Sequence, residues 1–150
     1  MARFTASVNV GENTNITYKI ASTGITDADV NKPVKLTAAD TVDLCASGDE
    51  IYGFINSVEV KTADGKPVVG VQINGRRWVT LNGSAAVGTL VQAYTNTAAG
   101  TALGANWGLV AAHTLDATSA ATLAASIFSK NWKVISGAGT TGTDALIEKQ

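Results

Sequence analysis

Residues 51–81, IYGFINSVEVKTADGKPVVGVQINGRRWVTL, determine the fold class that the sequence predicts. Apolar and polar residues alternate through this stretch, as they do in strands with one buried face. The alternation is interrupted at Asp64 and Gly65 and again at Asn74 and Gly75, dipeptides that favour tight turns because glycine adopts a positive φ at no steric cost. The stretch therefore predicts two consecutive hairpins, an antiparallel meander. One face of its first strand carries Tyr52, Phe54, Asn56, Val58 and Val60.

Shorter segments bounded by turn residues predict further strands on both sides of the meander. Together they predict an all-β fold, a small antiparallel β barrel or sandwich formed by residues 30–150 as one domain. Residues 1–29 are rich in Asn and Thr and are interpreted as an extended N-terminal arm. Residues 116–128 permit one short helix, with Asp116 as its N-cap. The predicted short strands are residues 33–36, 41–44, 90–94, 106–110, 131–135 and 144–147, the last two as a closing pair.

A faint internal echo accompanies this pattern. Residues 34–41 followed by residues 51–54 resemble residues 90–93 and 97–101 followed by residues 106–109. Each half has a strand, an Ala-Ala turn, a second strand and then an aromatic-Gly-apolar strand. Two related β units that close one barrel or sandwich would explain the echo.

Charge is distributed very unevenly along the chain. Charged residues make up 15% of the whole, against about a quarter in ordinary soluble proteins, and between Arg77 and Lys130 the only formal charge is Asp116. Glycine, asparagine and threonine interrupt this stretch too often for a membrane span. A nearly uncharged surface of small residues tends to associate, so we interpret it as a surface that other protein covers. The alternative is a compact β domain that is simply poor in charge.

Length, charge and cysteine content narrow the function classes. The 150 residues fit one domain with a substantial core, and the net charge of −1 gives no electrostatic footprint for nucleic acid or an anionic membrane. Cys45 is the only cysteine and cannot form an internal disulfide. The first residues, MARFTASV, lack the apolar core of a signal peptide, which favours a cytoplasmic origin.

Residue types that carry chemistry are sparse, and they predict neither an enzyme nor a metal or other cofactor. His113 has no evident nucleophile as a partner, and Cys45 has apolar neighbours typical of a buried thiol. The acidic pairs Asp27/Asp29 and Asp49/Glu50 lie beside turns, where carboxylates cap backbone amides and stay solvated. Residues 137–142, GAGTTG, match a dinucleotide fingerprint, but the chain that follows is too short for the required helix and strand, so they predict a turn. Arg76 and Arg77 are interpreted as a solvated hairpin tip.

Several of these segments resemble the small capsid decoration (cement) proteins of tailed bacteriophages. The similarity lies in DEIYGF at residues 49–54 with its short meander, VGTLV at 87–91, AAGTA at 98–102 and the Gly/Thr-rich WKVISGAGTTGT at 132–143. It implies a small β barrel or sandwich that sits as a dimer or trimer on the outer surface of the capsid, often with an extended arm along the shell.

The function expected from the resemblance is structural. The chain would bind the major capsid protein and itself, without nucleic acid or membrane, and would be located in the virion after assembly in the host cytoplasm. Two alternatives remain open: another virion component (a shell, tail or spike module), and a carbohydrate- or ligand-binding β module with Trp78 or Trp107 as an aromatic platform. The residues expected to contact the capsid or another copy are Phe4, Val8, Val10, Trp78 and Trp107.

Overall fold

The computed structural model describes residues 13–21, 24–59, 63, 66–94, 108–112, 132–137 and 144–149. These residues form strands and one short 3-10 turn, which confirms the all-β prediction. The β-branched residues of the predicted segments favour extended backbone, and the turn residues Asp40, Asn74, Gly83 and Gly137 lie just beyond some of them. The elements are β1 (Asn15–Ile20), the 3-10 turn (Asp27–Asp29), β2 (Pro33–Ala38), β3 (Thr41–Leu44), β4 (Gly53–Glu59), β5 (Val68–Gln72), β6 (Gly75–Asn82), β7 (Val91–Ala93), β8 (Gly108–Ala112), β9 (Lys133–Ser136) and β10 (Asp144–Lys149).

The first five strands close into a barrel. Their order is β1-β3-β2-β4-β5, and β5 returns to pair with β1. β1 runs parallel to β3, while the other neighbouring strands are antiparallel. Closure pairs the edges that an open sheet would expose.

The last five strands form a second sheet with the order β7-β8-β6-β10-β9. Here β6 runs parallel to β8, and the other neighbours are antiparallel. The outer strands β7 and β9 meet at an antiparallel bridge between Leu90 and Lys133. The Val91 N–H donates to the Trp132 carbonyl over 2.9 Å beside it, so the second sheet also returns on itself.

The two sheets have the same topology. If β6 to β10 are matched in order with β1 to β5, every strand pairing and every direction in one sheet has its counterpart in the other. We therefore call β1 to β5 the first repeat and β6 to β10 the second repeat. Even the register shift recurs at matched positions. It falls between Ile55↔Val71 and Ser57↔Gly70 in the first repeat, and between Val134↔Ile147 and Ser136↔Leu146 in the second.

The turn before β2 also recurs before β7. In the first repeat, the Lys32 N–H donates to the Asp29 carbonyl over 3.0 Å, and Asn31 has a φ of 76°. In the second, the Thr89 N–H donates to the Ala86 carbonyl over 3.0 Å, and Gly88 has a φ of 88°. A positive φ at the third residue is the requirement of a type II turn, which glycine and asparagine meet most easily. The repetition thus extends to loop geometry.

Each repeat has its own core, and β4 contributes to both. Ile55 packs inside the first barrel, whereas the adjacent Phe54 packs against the second core. Both are fully buried, so the two faces of this strand pack in different cores. The first core contains Tyr18, Ile25, Val34, Val42, Ile55, Val69 and Val71. The second contains Val79, Leu81, Ala85, Val91, Ala93, Val110, Trp132, Val134, Ala145 and Ile147, joined by Cys45, Ile51 and Phe54 of the first repeat.

Three features of the predicted topology need correction. The first hairpin exists, since β4 pairs with β5, but β5 and β6 lie in different sheets, so Asn74 and Gly75 link the repeats instead of closing a second hairpin. The sheets are not purely antiparallel, because each contains one parallel pair. The predicted arm of residues 1–29 overlaps β1, a strand of the closed barrel, and β1 buries Tyr18.

The other predicted strands agree with the structure within a few residues, and β3 agrees at both ends. The closing pair β9 and β10 is antiparallel, as predicted. The internal echo is real for β2 and β7, but residues 51–54 correspond by topology to the start of β9 and not to that of β8. The predicted helix at residues 116–128 lies outside the described residues.

Candidate interaction surface

Trp78 lies in β6, where it is partly buried opposite Leu146 of β10. Its neighbours Arg77 and Val79 are buried, so Trp78 lies on the outer face of the second sheet. Of the uncharged stretch, the structure describes residues 78–94 and 108–112. The other four predicted contact residues, Phe4, Val8, Val10 and Trp107, lie outside the described residues.

A buried arginine joins the two repeats. Arg77 of β6 is 8% exposed, and its guanidinium donates to the side-chain oxygens of Asn56 over 2.9 Å, of Gln72 over 3.1 Å and of Asn31. The guanidinium carbon lies 4.9 Å from the centre of the Phe54 ring. Burial lowers the pKa of Arg77 to about 10, which leaves it charged at neutral pH. A charged donor fixed by amide oxygens of the other repeat holds the repeats in one relative position.

The sequence interpretation of Arg77 as part of a solvated tip is wrong. Only Arg76 is exposed, and it forms an ion pair with Glu148 over 3.1 Å. The alternation along β6 could have predicted that Arg77 is buried, because Arg77 has the same parity as Val79 and Leu81, which are fully buried.

Apolar contacts continue the junction beyond the arginine. The rings of Phe54 and Trp132 meet edge to face with their centres 5.1 Å apart. Cys45 and Ile51, which flank the loop between β3 and β4, join the same core. The first repeat therefore covers one end of the second with side chains that are almost completely buried.

Backbone hydrogen bonds also hold the first repeat against this end of the second repeat. The Gly48 N–H donates to the Ala93 carbonyl over 2.9 Å, and the Ala93 N–H donates to the Asp49 carbonyl over 3.0 Å. At the other side of the junction, Lys149 Nζ donates to the Tyr52 carbonyl over 3.1 Å. Burial lowers the pKa of Lys149.

The residues that precede β1 bind the linker between the repeats. The Thr14 N–H donates to Asn74 Oδ1 over 2.6 Å, and the Ile73 N–H donates to the Thr14 carbonyl over 3.0 Å. Asn13 Oδ1 accepts from the Arg76 N–H over 3.1 Å. The chain that precedes Asn13 therefore enters the described fold at the junction between the repeats.

An open groove of about 350 Å³ runs beside the junction. An ion pair between Lys35 and Asp49, 2.6 Å long, forms part of its wall and lies partly exposed to solvent. The hydrogen bond to Asp49 raises the pKa of Lys35, and the same bond lowers the pKa of Asp49. The groove is lined by Lys35, Leu36, Asp49, Glu50, Ile51, Tyr52 and Lys149.

The carboxylates of the predicted turn pairs have structural roles. Asp29 accepts from the Thr26 N–H over 2.8 Å and from Lys32 Nζ over 2.5 Å. Burial favours its neutral form, but these hydrogen bonds outweigh burial and lower the pKa of Asp29. Asp49 similarly accepts from the Ala46 N–H over 2.7 Å. Both carboxylates stabilise turns, as the sequence predicts, but the prediction that they stay solvated is wrong for Asp29, which is 6% exposed.

The remaining candidate chemical groups are also accounted for where the structure describes them. Burial, and then the charge of Asp49, raises the pKa of the Cys45 thiol to about 12, so it carries little of the thiolate needed for nucleophilic attack. Gly137 begins the GAGTTG segment, which connects the antiparallel strands β9 and β10, whereas a dinucleotide site needs a parallel crossover. Within the described ranges, no three His, Cys, Asp or Glu side chains converge as metal ligands.

Comparison of this chain with known protein families, curated proteins and solved structures gives no match. Among the described residues, no helix is long and apolar enough to cross a membrane.

Proposed function

We propose that this chain is a structural virion protein that binds the outer surface of a phage capsid and stabilises the head. The observation that carries the proposal is the stretch between Arg77 and Lys130, where Asp116 is the only formal charge. In the described part of the stretch the inward side chains form the second core, and outward residues such as Trp78, Ser84, Ala86 and Val87 carry no charge. An outer surface of this kind is poorly suited to remain solvated and well suited to burial against other protein. Decoration requires contact area repeated over many copies and no reaction at all.

The fold supports this role through its rigidity. Closure of the first barrel and the Arg77 junction hold the two repeats as one unit, so little conformational entropy is lost when the chain binds a shell. Because the barrel strands are paired on both sides, contact with the shell comes from outward faces and from the residues that precede the barrel. Asn13 and Thr14 fix the point from which that segment departs. Phe4, Val8 and Val10 give it apolar side chains for such a contact.

Binding to heads should depend on this N-terminal segment and only weakly on salt. We expect deletion of residues 1–10 to weaken binding to undecorated heads at least tenfold, because apolar side chains and backbone hydrogen bonds to the shell are lost. The deleted segment contains a single charge, Arg3, so raising the salt concentration should change binding far less than it does for a basic arm on nucleic acid. Co-sedimentation of the intact and shortened proteins with heads, at low and high salt, measures both effects.

An unchanged thermal melt is the folding control for the shortened protein. We expect no change because the deletion ends before Asn13, the first residue of the described fold. Equal binding by both proteins would show that the segment does not contact the shell. If neither protein bound the heads, the proposed function itself would be wrong.

A further inference from the structure

Because the two repeats match strand for strand, each buried position in one can be compared with its counterpart in the other. Val34 pairs with Leu44 and Leu36 with Val42 in the first repeat. In the second, Val91 pairs with Ala112 and Ala93 with Val110. Val34 therefore corresponds to Val91, and Leu36 to Ala93.

These two matched positions differ sharply in exposure. Val34 is fully buried and Val91 nearly so, but Ala93 is 0% exposed whereas Leu36 is 48% exposed. The same difference appears two strands away in the sheet, where Leu81 of β6 is fully buried and its counterpart Ile20 of β1 is only partly buried. We call this rim of the first barrel its open end: Ile20 and Leu36 are more exposed than their counterparts in the second repeat, although Val42, which pairs with both, is fully buried.

The second repeat is closed there because the first repeat covers it. The loop between β3 and β4 forms both backbone hydrogen bonds to Ala93, and Cys45, Ile51 and Phe54 fill the end of the core. The open end of the first barrel lacks an equivalent cover within the described residues. Beside it lies the groove of about 350 Å³, whose wall includes Leu36, Ile51 and Tyr52.

We propose that the open end of the first repeat, marked by Ile20, Leu36 and the adjoining groove, is the docking site for the second repeat of another copy of this chain. Within one chain, the first repeat packs against one end of the second repeat. In the proposed contact, the second repeat of another copy packs against the corresponding end of the first repeat. The charges are also compatible: Lys35 in the groove is already paired with Asp49, and residues 78–129 of the second repeat contain one formal charge, Asp116. Burying such surfaces leaves few charges without partners.

This contact joins two different surfaces and is therefore heterologous, a head-to-tail arrangement that closes three or more copies into a ring of alternating repeats. The inference rests on the self-association that belongs to the proposed function, but not on capsid binding.

Sedimentation velocity of Leu36→Glu tests the docking site. We expect wild type to be oligomeric at micromolar concentration, and a carboxylate at the centre of the contact to weaken association at least tenfold. Ile16→Glu is the matched control: Ile16 is 40% exposed, close to the 48% of Leu36, but lies in the first repeat at the opposite end of β1 from Ile20, so this variant should associate like wild type. Unchanged melting curves show that each variant is folded, and Leu36→Ser replaces Leu36→Glu if the glutamate prevents folding.

A mixing experiment tests the head-to-tail arrangement. A fluorescent Leu36→Glu protein keeps its second repeat intact, so it should still join an excess of unlabelled wild type. Failure to join would mean that Leu36 meets Leu36 across a two-fold axis, which overturns the heterologous contact. If wild type is oligomeric and Leu36→Glu associates equally well, this docking site is wrong while self-association stands. If wild type is a monomer at about 100 μM, self-association fails as well.

Discussion

Replacing Arg77 with alanine is expected to lower the free energy of unfolding by about 3 kcal/mol. The substitution leaves the side-chain oxygens of Asn31, Asn56 and Gln72 without their donor, at about 1 kcal/mol or more each, and removes the packing on Phe54. Relief of the desolvated charge offsets part of this cost. Urea unfolding followed by tryptophan fluorescence measures the change, and Trp132 lies in the core affected.

Arg76→Ala is the matched control, since it removes the same side chain one residue earlier. Arg76 is exposed and its ion pair with Glu148 is a surface pair, so we expect a loss of less than about 1 kcal/mol. Arg77→Lys should fall between the two variants, because an ammonium keeps the charge but cannot reach three amide oxygens in a planar fork. Equal losses for Arg76→Ala and Arg77→Ala would contradict the role of Arg77 as the junction between the repeats.

Gly75→Val should also destabilise the protein strongly, by about 3–5 kcal/mol. Gly75 has a φ of 88°, which costs a residue with a side chain about 1–3 kcal/mol. A Cβ there would lie 1.9 Å from Asn13 Oδ1, so the side chain of Asn13 must move and its hydrogen bond from the Arg76 N–H is lost. Thermal and urea unfolding measure the effect.

Gly83→Val separates backbone strain from the steric clash. Gly83 has nearly the same φ, 87°, but nothing lies within 4 Å of its added Cβ. The free energy of unfolding of this control should therefore fall only by the cost of the backbone strain, about 1–3 kcal/mol. If Gly75→Val cost no more than Gly83→Val, the contact between Asn13 and the linker would not contribute to stability.

Local signals predicted the strands well because their causes are local. The segment that became β3, Thr41–Leu44, is bounded by Asp40, whose φ is 55°, and its alternation buries Val42. Turn residues and alternation are both visible in a short window of sequence. Which strands become neighbours is not visible there, because closure of a sheet depends on residues far apart in the chain.

The linker at Asn74 and Gly75 illustrates that limit. A tight hairpin and the link between these two sheets both contain a residue with positive φ. The dipeptide therefore predicts that the chain changes direction, but not which strand the next strand pairs with. For this reason the sequence predicts a meander of three strands, whereas the structure pairs only β4 with β5. The same limit applies to β1, whose low apolar content resembles an arm although Tyr18 packs in the barrel core.

The repeated topology was only partly predictable for a different reason. Matched positions preserve burial more than identity: Val42 and Val110 agree, but Tyr18 corresponds to Val79 and Gly53 to Trp132. An inward position demands a volume that fits its surroundings, and many side chains satisfy it. The asymmetry between Leu36 and Ala93, which marks the proposed docking site, appears only when the two repeats are compared in three dimensions.

The heat resistance of phage heads assembled with and without this chain tests the proposed function most directly. A decoration protein adds contacts after the shell has formed, so phage that lack it should still assemble heads but release DNA at a lower temperature. Purified wild-type protein added to those heads should restore the release temperature. Heads that lack the chain and are equally heat-resistant, or a complete failure to form heads without it, would contradict the account.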